Sequence, residues 1–321
     1  MTRWLDLLTR EGIELVLAAS AACILILSLR GWVRRGFGAR AAYGLWCLLP
    51  ATAGAVLLPG PMTAEFAPFL DWSPQAAPAP TSGNGHDSAI QLAILLLWLS
   101  GASLALFRLG VAQHHFLRSL GRIERRAGDL WQAERSAGLP ALVGLIPRIV
   151  LPADFEQRYS TGQQRLIIEH ERVHARRGDN LWNLLFALLA ALYWFNPLLR
   201  LAQRAFQLDQ ELACDACVLA RYPEGRRCYG EALLLPTSST AAAPLGCPAF
   251  HTHPLKERIT MLTRPLPSRW RLTTGFALTL GLSVLAAGLA WAQQPPTIAA
   301  IDTMPAAEAS ATSASSSAPR I

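Results

Sequence analysis

His170, Glu171 and His174 stand at the spacing H-E-x-x-H. On a helix, one turn puts two imidazoles at i and i+4 on one face, where both reach a single Zn²⁺. The intervening carboxylate then lies beside a water on the ion without ligating it. Zinc brings such a water's pKa to ~7, and Glu171 is the general base that takes its proton, which makes a nucleophile able to attack a peptide carbonyl. The plain alternative is a chance pattern on a polar helix face. With 7 His in 321 residues, a shuffled chain shows the pattern only about 0.006 times.

Two imidazoles do not complete a catalytic zinc site, which has three protein ligands and one open position. Glu211 and Asp215, again at i and i+4, are the next candidates. Glu211 is the expected third ligand, with Asp209 as its competitor. Asp215 on the same face is expected to hold the free ring nitrogen of His170, fixing its tautomer. The plain alternative is a solvated carboxylate pair. His253, with His251 beside it, and Tyr229 are candidate donors to a transition-state oxyanion, against a plain reading as loop or packing residues. Cys214 and Cys217 form a C-x-x-C, but no second such pair completes a zinc site, and they read as small buried residues on a helix.

These groups need two helices. Thr161 with Gln164 three residues later reads as a capping box, and Gly178 as a stop, so the first helix covers about 162 to 177. The second runs from about 198 to 220, after Pro197 and before Pro223. Upstream, residues 144 to 152 are β-branched and bounded by prolines, which predicts a strand or extended edge.

The rest of the chain says where those helices sit. Only 16% of residues are charged and 52% are apolar, against roughly a quarter charged in soluble domains. This excludes a chain disordered throughout, a collagen-like repeat and a disulfide scaffold. Four charge-free runs, Leu15 to Leu29, Ala41 to Leu58, Ser88 to Phe107 and Leu272 to Ala292, are long enough or nearly so to cross a ~30 Å hydrocarbon core as helices. Arg30, Arg34, Arg35 and Arg40 follow the first run, whereas Pro59 to Asp87 holds no Lys or Arg. Between Arg108 and Arg271 lie 22 basic and 14 acidic residues. By the positive-inside rule the N-terminus is outside, residues 108 to 271 are cytoplasmic, and the tail is outside. Topology thus explains the net charge of +7, and no direct nucleic-acid partner is expected.

The expected architecture is mainly α: a polytopic inner-membrane protein with three spans in residues 1–107, a zinc peptidase domain in 108–271, a fourth span in 272–292 and a disordered external tail in 293–321. Residues 65 to 87 read as a flexible external loop. The tail junction at Ala290-Trp291-Ala292 imitates a signal-peptidase site, so the tail could be clipped there. A fifth apolar run, Leu181 to Leu199, holds Asn183, Asn196 and Pro197. If it crossed the bilayer once, Glu211 would be separated from His170 and His174. The run is therefore expected to be buried, or to dip into the membrane and return.

Several stretches taken together resemble the BlaR/MecR-type membrane metallopeptidases, antirepressors whose relatives govern β-lactam resistance. They are residues 140 to 152, Ile168-Glu-His-Glu-Arg-Val-His174 with Asp179 and Asn180, Asn196-Pro197-Leu198, Glu211-Leu-Ala-Cys-Asp215 and Leu255-Lys-Glu-Arg-Ile259. The resemblance implies a gluzincin-like domain between the third and fourth spans, with His170, His174 and Glu211 as zinc ligands and Glu171 as base. Asp179 looks like the family's aspartate after the zinc helix and is placed, with Asp215, behind the metal ligands, with a helix-end hydrogen bond as its expected contact. The implied partners are the lipid bilayer, a cytoplasmic repressor of the BlaI/MecI type as protein substrate, and a second copy of the chain as a homodimer. The β-lactam-sensing members carry a large external penicillin-binding domain after the last span, where this sequence has 29 residues; drug sensing is therefore not expected. Two other readings stay open: an HtpX-like quality-control peptidase, and a signalling scaffold with an idle zinc site.

Overall fold

The computed structural model describes residues 2–60, 85–136, 140–144, 146–235 and 252–294, with backbone alone at 2–11, 85–88 and 252–254. Residues 65 to 84 of the expected external loop at 65 to 87, the tail beyond 294, His251 and the side chain of His253 lie outside the described residues, and residues 85 to 87 of that loop are instead the start of a helix.

The apolar runs become helices. α1 (Thr2–Phe37) ends with Arg34 and Arg35 in its last turn. α2 (Ala39–Gly44), a 3-10 turn (Leu45–Cys47) and α3 (Leu48–Leu57) follow without a gap. α4 (Gly85–Ser119) and, near the end, α11 (Arg269–Ala292) are long single helices. Among the described residues, three helices are long and apolar enough to cross a membrane: Gly12–Phe37, Ala89–Ser119 and Arg269–Ala292.

The second expected span is therefore not one regular helix. Pro50 has no N–H for the carbonyl of Trp46 and its ring crowds that carbonyl, so the chain tightens into the 3-10 turn just before it. The interrupted rod still runs the length of α11. Gly44 faces Phe276 at one end, and at the other the Gln294 side chain donates to the carbonyls of Ala55 and Val56.

After α4 the chain builds a four-stranded sheet from β1 (Ile123–Ala127), β2 (Leu130–Ala133), β3 (Ala141–Val143) and β4 (Arg148–Leu151), in the order β1-β2-β4-β3. β2 and β4 pair in parallel and the other pairs are antiparallel. The strand expected at 144 to 152 is β4 with its preceding turn. The other three strands were not expected; β1 reads Ile-Glu-Arg-Arg-Ala and faces water, and β2 and β3 are only four and three residues long.

A short α5 (Phe155–Arg158) leads to α6 (Thr161–Arg177), α7 (Asp179–Leu192) and α8 (Pro197–Arg221), then α9 (Arg226–Leu234) and α10 (Thr252–Leu262). The capping box of α6 is Ser160 with Gln163, one residue earlier than the sequence suggested.

The fifth apolar run is a helical hairpin. α7 stops at Leu192, the chain turns, and Asn196 caps α8 by accepting from the Leu198 amide at 3.0 Å. α8 returns along α7, so its C-terminal half lies back beside α6. The turn is held from two sides. Asn196 Nδ2 donates to Ser20 Oγ of α1 at 2.9 Å, and Trp98 of α4 donates to the Leu192 carbonyl at 2.8 Å. Gly101 lets Trp194 lie against α4, since a Cβ there would meet the indole at 2.2 Å. One apolar core joins α1, α2, α7 and α8 around Trp46, Phe186 and Phe206, the two phenylalanine rings stacked at 4.3 Å.

Candidate metal centre

α6 is placed by two apolar contacts. Ile167 packs on the sheet through Leu142, Ile149 and Leu151, while Leu166 and Val173 pack against Cys214, Val218 and Tyr229. His170 and His174 are left facing α8. Gly178, at φ 67°, takes the left-handed conformation that ends α6, and α7 begins on the next residue. Asn180 then ties this junction to the sheet by donating to the carbonyls of Leu142 (3.2 Å) and Gly144 (2.9 Å).

Three side chains converge between α6 and α8. The Nε2 atoms of His170 and His174 lie 3.0 Å apart. Glu211 Oε2 is 3.3 Å from the first and Glu211 Oε1 is 3.5 Å from the second. All three residues are buried; Glu211 Oε2 is paired with Arg258, whereas Oε1 accepts no hydrogen bond among the described residues. A buried oxygen without a hydrogen bond costs free energy. Facing two imidazole nitrogens, this carboxylate has an edge that a cation would satisfy, so the donor set fits a metal ion.

The far side of each ring carries a carboxylate. Asp215 Oδ1 lies 3.3 Å from His170 Nδ1, and Asp179 Oδ2 lies 2.6 Å from His174 Nδ1. Each acceptor holds the proton on Nδ1 and leaves the Nε2 lone pair directed at the shared point. Asp179 thus differs from its expected helix-end role. It starts α7 as a fully buried residue, accepts from Tyr43 at 3.0 Å and pairs with Arg177 at 3.0 Å, so its carboxylate is aimed at the histidine rather than at backbone amides.

Arg258, on α10, is the residue that sequence reasoning missed. It is 1% exposed, with Nη1 2.9 Å from Glu211 Oε2 and with Nε and Nη2 each 2.8 Å from an oxygen of Asp215. One guanidinium therefore bridges the two carboxylates of α8 in the bidentate geometry that suits arginine. Burial alone would raise the Asp215 carboxyl, but Arg258 and His170 hold it down to about 2. Glu211 is likewise held well below the carboxylate range against its burial, by Arg258 and the two histidines. The only available signal was the position of Arg258 within the stretch Leu255 to Ile259.

The other candidates separate clearly. Glu171 is buried next to the two histidines, and burial raises its carboxyl above the ordinary value despite the nearby imidazoles. Tyr229 donates to Asp215 at 2.7 Å and lies 2.8 Å from His170 Nδ1, so its hydroxyl is engaged behind the ring and not where an oxyanion would form. His253 falls within α10, with its side chain outside the described residues. Asp209 faces away from the histidines and accepts from Arg30 (2.8 Å) and Trp46 (3.0 Å).

His174, Asp179 and Cys214 form a second cluster within metal-binding distance. There a cation is already supplied, since Arg177 donates to Cys214 Sγ at 3.2 Å, and burial pushes the Cys214 thiol up to about 12. A protonated thiol is a poor ligand. The three-residue cluster at Nε2 is the better metal site.

A family profile described as BlaR1 peptidase M56 matches residues 11–262, which include every residue of the cluster and Arg258. The chain belongs to that family. M56 relatives in two genera are also similar to it. The regulatory protein BlaR1 of Bacillus licheniformis is 35% identical over 101 residues, 31% of this chain and 17% of the relative. The methicillin resistance mecR1 protein of Staphylococcus aureus is 32% identical over 99 residues, 30% of this chain and 17% of the relative. The matched stretch thus spans about a sixth of either relative's length. Membership fits both halves of the geometry, the apolar helices and the histidine–glutamate cluster beside them.

Proposed function

We propose that the chain is a membrane zinc endopeptidase of gluzincin type, with His170, His174 and Glu211 as ligands and Glu171 as general base. The observation that carries this reading is the convergence of two Nε2 atoms on the buried carboxylate of Glu211, one residue away from a second buried glutamate. Two imidazoles and one carboxylate are the donors of a three-ligand catalytic zinc site. When bound, the ion would supply Lewis acidity and bring the pKa of a water in the open position to ~7.

The chain's own groups do the rest. Glu171, its carboxyl raised by burial, takes a proton from the attacking water and returns it to the leaving amine. Asp215 and Asp179 keep the two rings in one tautomer and orientation. Arg258 fixes Glu211 and Asp215 in register on α8.

In this reading the chain crosses the membrane four times, the interrupted α2–α3 rod being the second crossing. Both termini are extracytoplasmic, and residues 108–271 form the cytoplasmic peptidase domain. The arginine distribution and the parallel course of α3 and α11 support that arrangement. The substrate is a cytoplasmic protein, and the resemblance to BlaR/MecR-type proteins favours a DNA-binding repressor of the BlaI/MecI type, cleaved as the output of transmembrane signalling.

The test uses the full chain purified in detergent, with metal analysis and cleavage of an added repressor. One zinc per chain is expected. Glu171→Gln should keep the zinc and lose roughly 10²-fold or more of the cleavage, whereas Glu211→Ala should lose both. Cleavage that survives in Glu171→Gln would refute the assignment of the base, and zinc retained at full strength in Glu211→Ala would move the third ligand elsewhere.

A further inference from the structure

A cavity of about 1340 Å³ lies between α1, α4, α7 and α8, larger than an ordinary small-molecule pocket of ~300–1,000 Å³. Arg30, Arg108, Arg200 and Arg204 line it, and Glu211 is the one carboxylate on its wall. Arg30 is neutralised by Asp209. Arg108, Arg200 and Arg204 have no carboxylate partner among the described residues.

Two rulers give its depth. In α1 the apolar run ends at Arg30, and Ser20, which receives the hydrogen bond from Asn196, lies ten residues earlier, roughly 15 Å along a helix. In α4 the run ends at Arg108, and Trp98, bonded to the hairpin turn, is also ten residues earlier, again roughly 15 Å. Half of a ~30 Å hydrocarbon core is the same distance. The tip of the α7–α8 hairpin therefore sits near the bilayer midplane. The cavity reaches from there, where Trp194 lines it, up to the inner headgroup level at Arg108 and Arg204. Arg200 lies between, donating to the Trp194 carbonyl at 2.7 Å.

The occupant must bring negative charge at the inner surface and hydrocarbon below it. An extended peptide would leave its amides and carbonyls unpaired beside Leu27, Ala190 and Leu201 at that depth. A phospholipid meets both demands, and uncompensated arginines select an anionic one. We propose that this cavity is a binding site for one anionic phospholipid of the inner leaflet, with its phosphate held by Arg108 and Arg204 and an acyl chain lying along α8 toward Trp194. The site depends on the membrane placement of the helices and not on the metal reading.

The test is lipid retention by the full-length protein. After incubation with mixed phosphatidylglycerol and phosphatidylethanolamine micelles, bound lipid is counted by native mass spectrometry, with zinc content and size-exclusion profile measured on the same samples. Wild type should retain one phosphatidylglycerol per chain, enriched about tenfold or more over phosphatidylethanolamine. Arg108→Gln/Arg204→Gln should abolish that enrichment, while Arg227→Gln, at an exposed position on α9 paired with Glu231, should keep it. Equal retention of both lipids by wild type, or equal loss in the Arg227→Gln control, would overturn the proposal. Displacement of the lipid by inorganic phosphate would mark a free-anion site instead, and displacement by an acidic peptide a peptide groove. Either also overturns it. Zinc unchanged in the double variant would leave the peptidase reading standing whatever the lipid result.

Discussion

Arg258 offers the sharpest test of how the centre is held together. Its guanidinium is the only cation of the protein in contact with both Glu211 and Asp215 among the described residues, and all three side chains are at most 2% exposed. Replacing it with methionine keeps most of the volume and removes the charge. Two carboxylates are then left buried at 2.9 Å and 2.8 Å from where their partner stood. Removing one member of a buried ion pair costs about 3–5 kcal/mol, chiefly because the surviving charge stays desolvated. Here a zinc ion at Glu211 would supply part of the lost positive charge. Arg258→Met should therefore destabilise the metal-free protein by about 3–5 kcal/mol, a drop in melting temperature on the order of 10 °C, and the zinc-loaded protein by clearly less. Intrinsic-fluorescence melts of the detergent-solubilised chain, with chelator and with zinc, measure both. A metal-free variant within about 1 kcal/mol of wild type would show that Arg258 does not neutralise the pair. An equal loss in both forms would show that zinc and arginine do not share Glu211.

Three further outcomes follow from the geometry. Asp179→Asn removes the charged acceptor 2.6 Å from His174 and should weaken zinc affinity by roughly 10- to 100-fold at unchanged stoichiometry, read by competition with a chromogenic chelator; unchanged affinity would remove Asp179 from the metal's surroundings. Asp209→Ala strips Arg30 and Trp46 of their shared acceptor, so it should lower thermal stability while one zinc per chain remains; lost zinc with an intact melt would restore Asp209 as a ligand. Single cysteines at the exposed positions Arg176 and Glu224 should both be labelled from the cytoplasmic side, since the α7–α8 hairpin returns the chain to the side it left; labelling from opposite sides would rule out the shared metal site.

What could be read from the sequence was local. The i and i+4 spacing of His170 with His174 and of Glu211 with Asp215 follows from one turn of helix, and Gly178 and Pro197 mark helix ends through their own backbone preferences. The cap of α6 was misplaced by one residue because Ser160 and Thr161 can both cap, and Gln163 and Gln164 can both close the box. What could not be read was distant. Arg258 lies 43 residues from Asp215, and beyond its place in the family-like stretch Leu255 to Ile259 no local spacing ties it to the two helices. The first two strands were hidden because a half-exposed sheet carrying Glu124, Arg125 and Arg126 lacks apolar alternation. The interruption before Pro50 was legible in principle, but a run judged by hydropathy alone conceals it.

The anchoring of α8 has a mechanical consequence. Near its start Asn196 is fastened to Ser20, and further along Asp209 is fastened to Arg30, both on α1. A stiff rod pinned twice to one neighbour travels with it. α6 packs on α8 through Leu166 and Val173, but it is also moored to the sheet through Ile167 and the adjoining Asn180. A tilt or slide of α1 would therefore be passed to α8 and its glutamate directly, and to the two histidines only against the hold of the sheet.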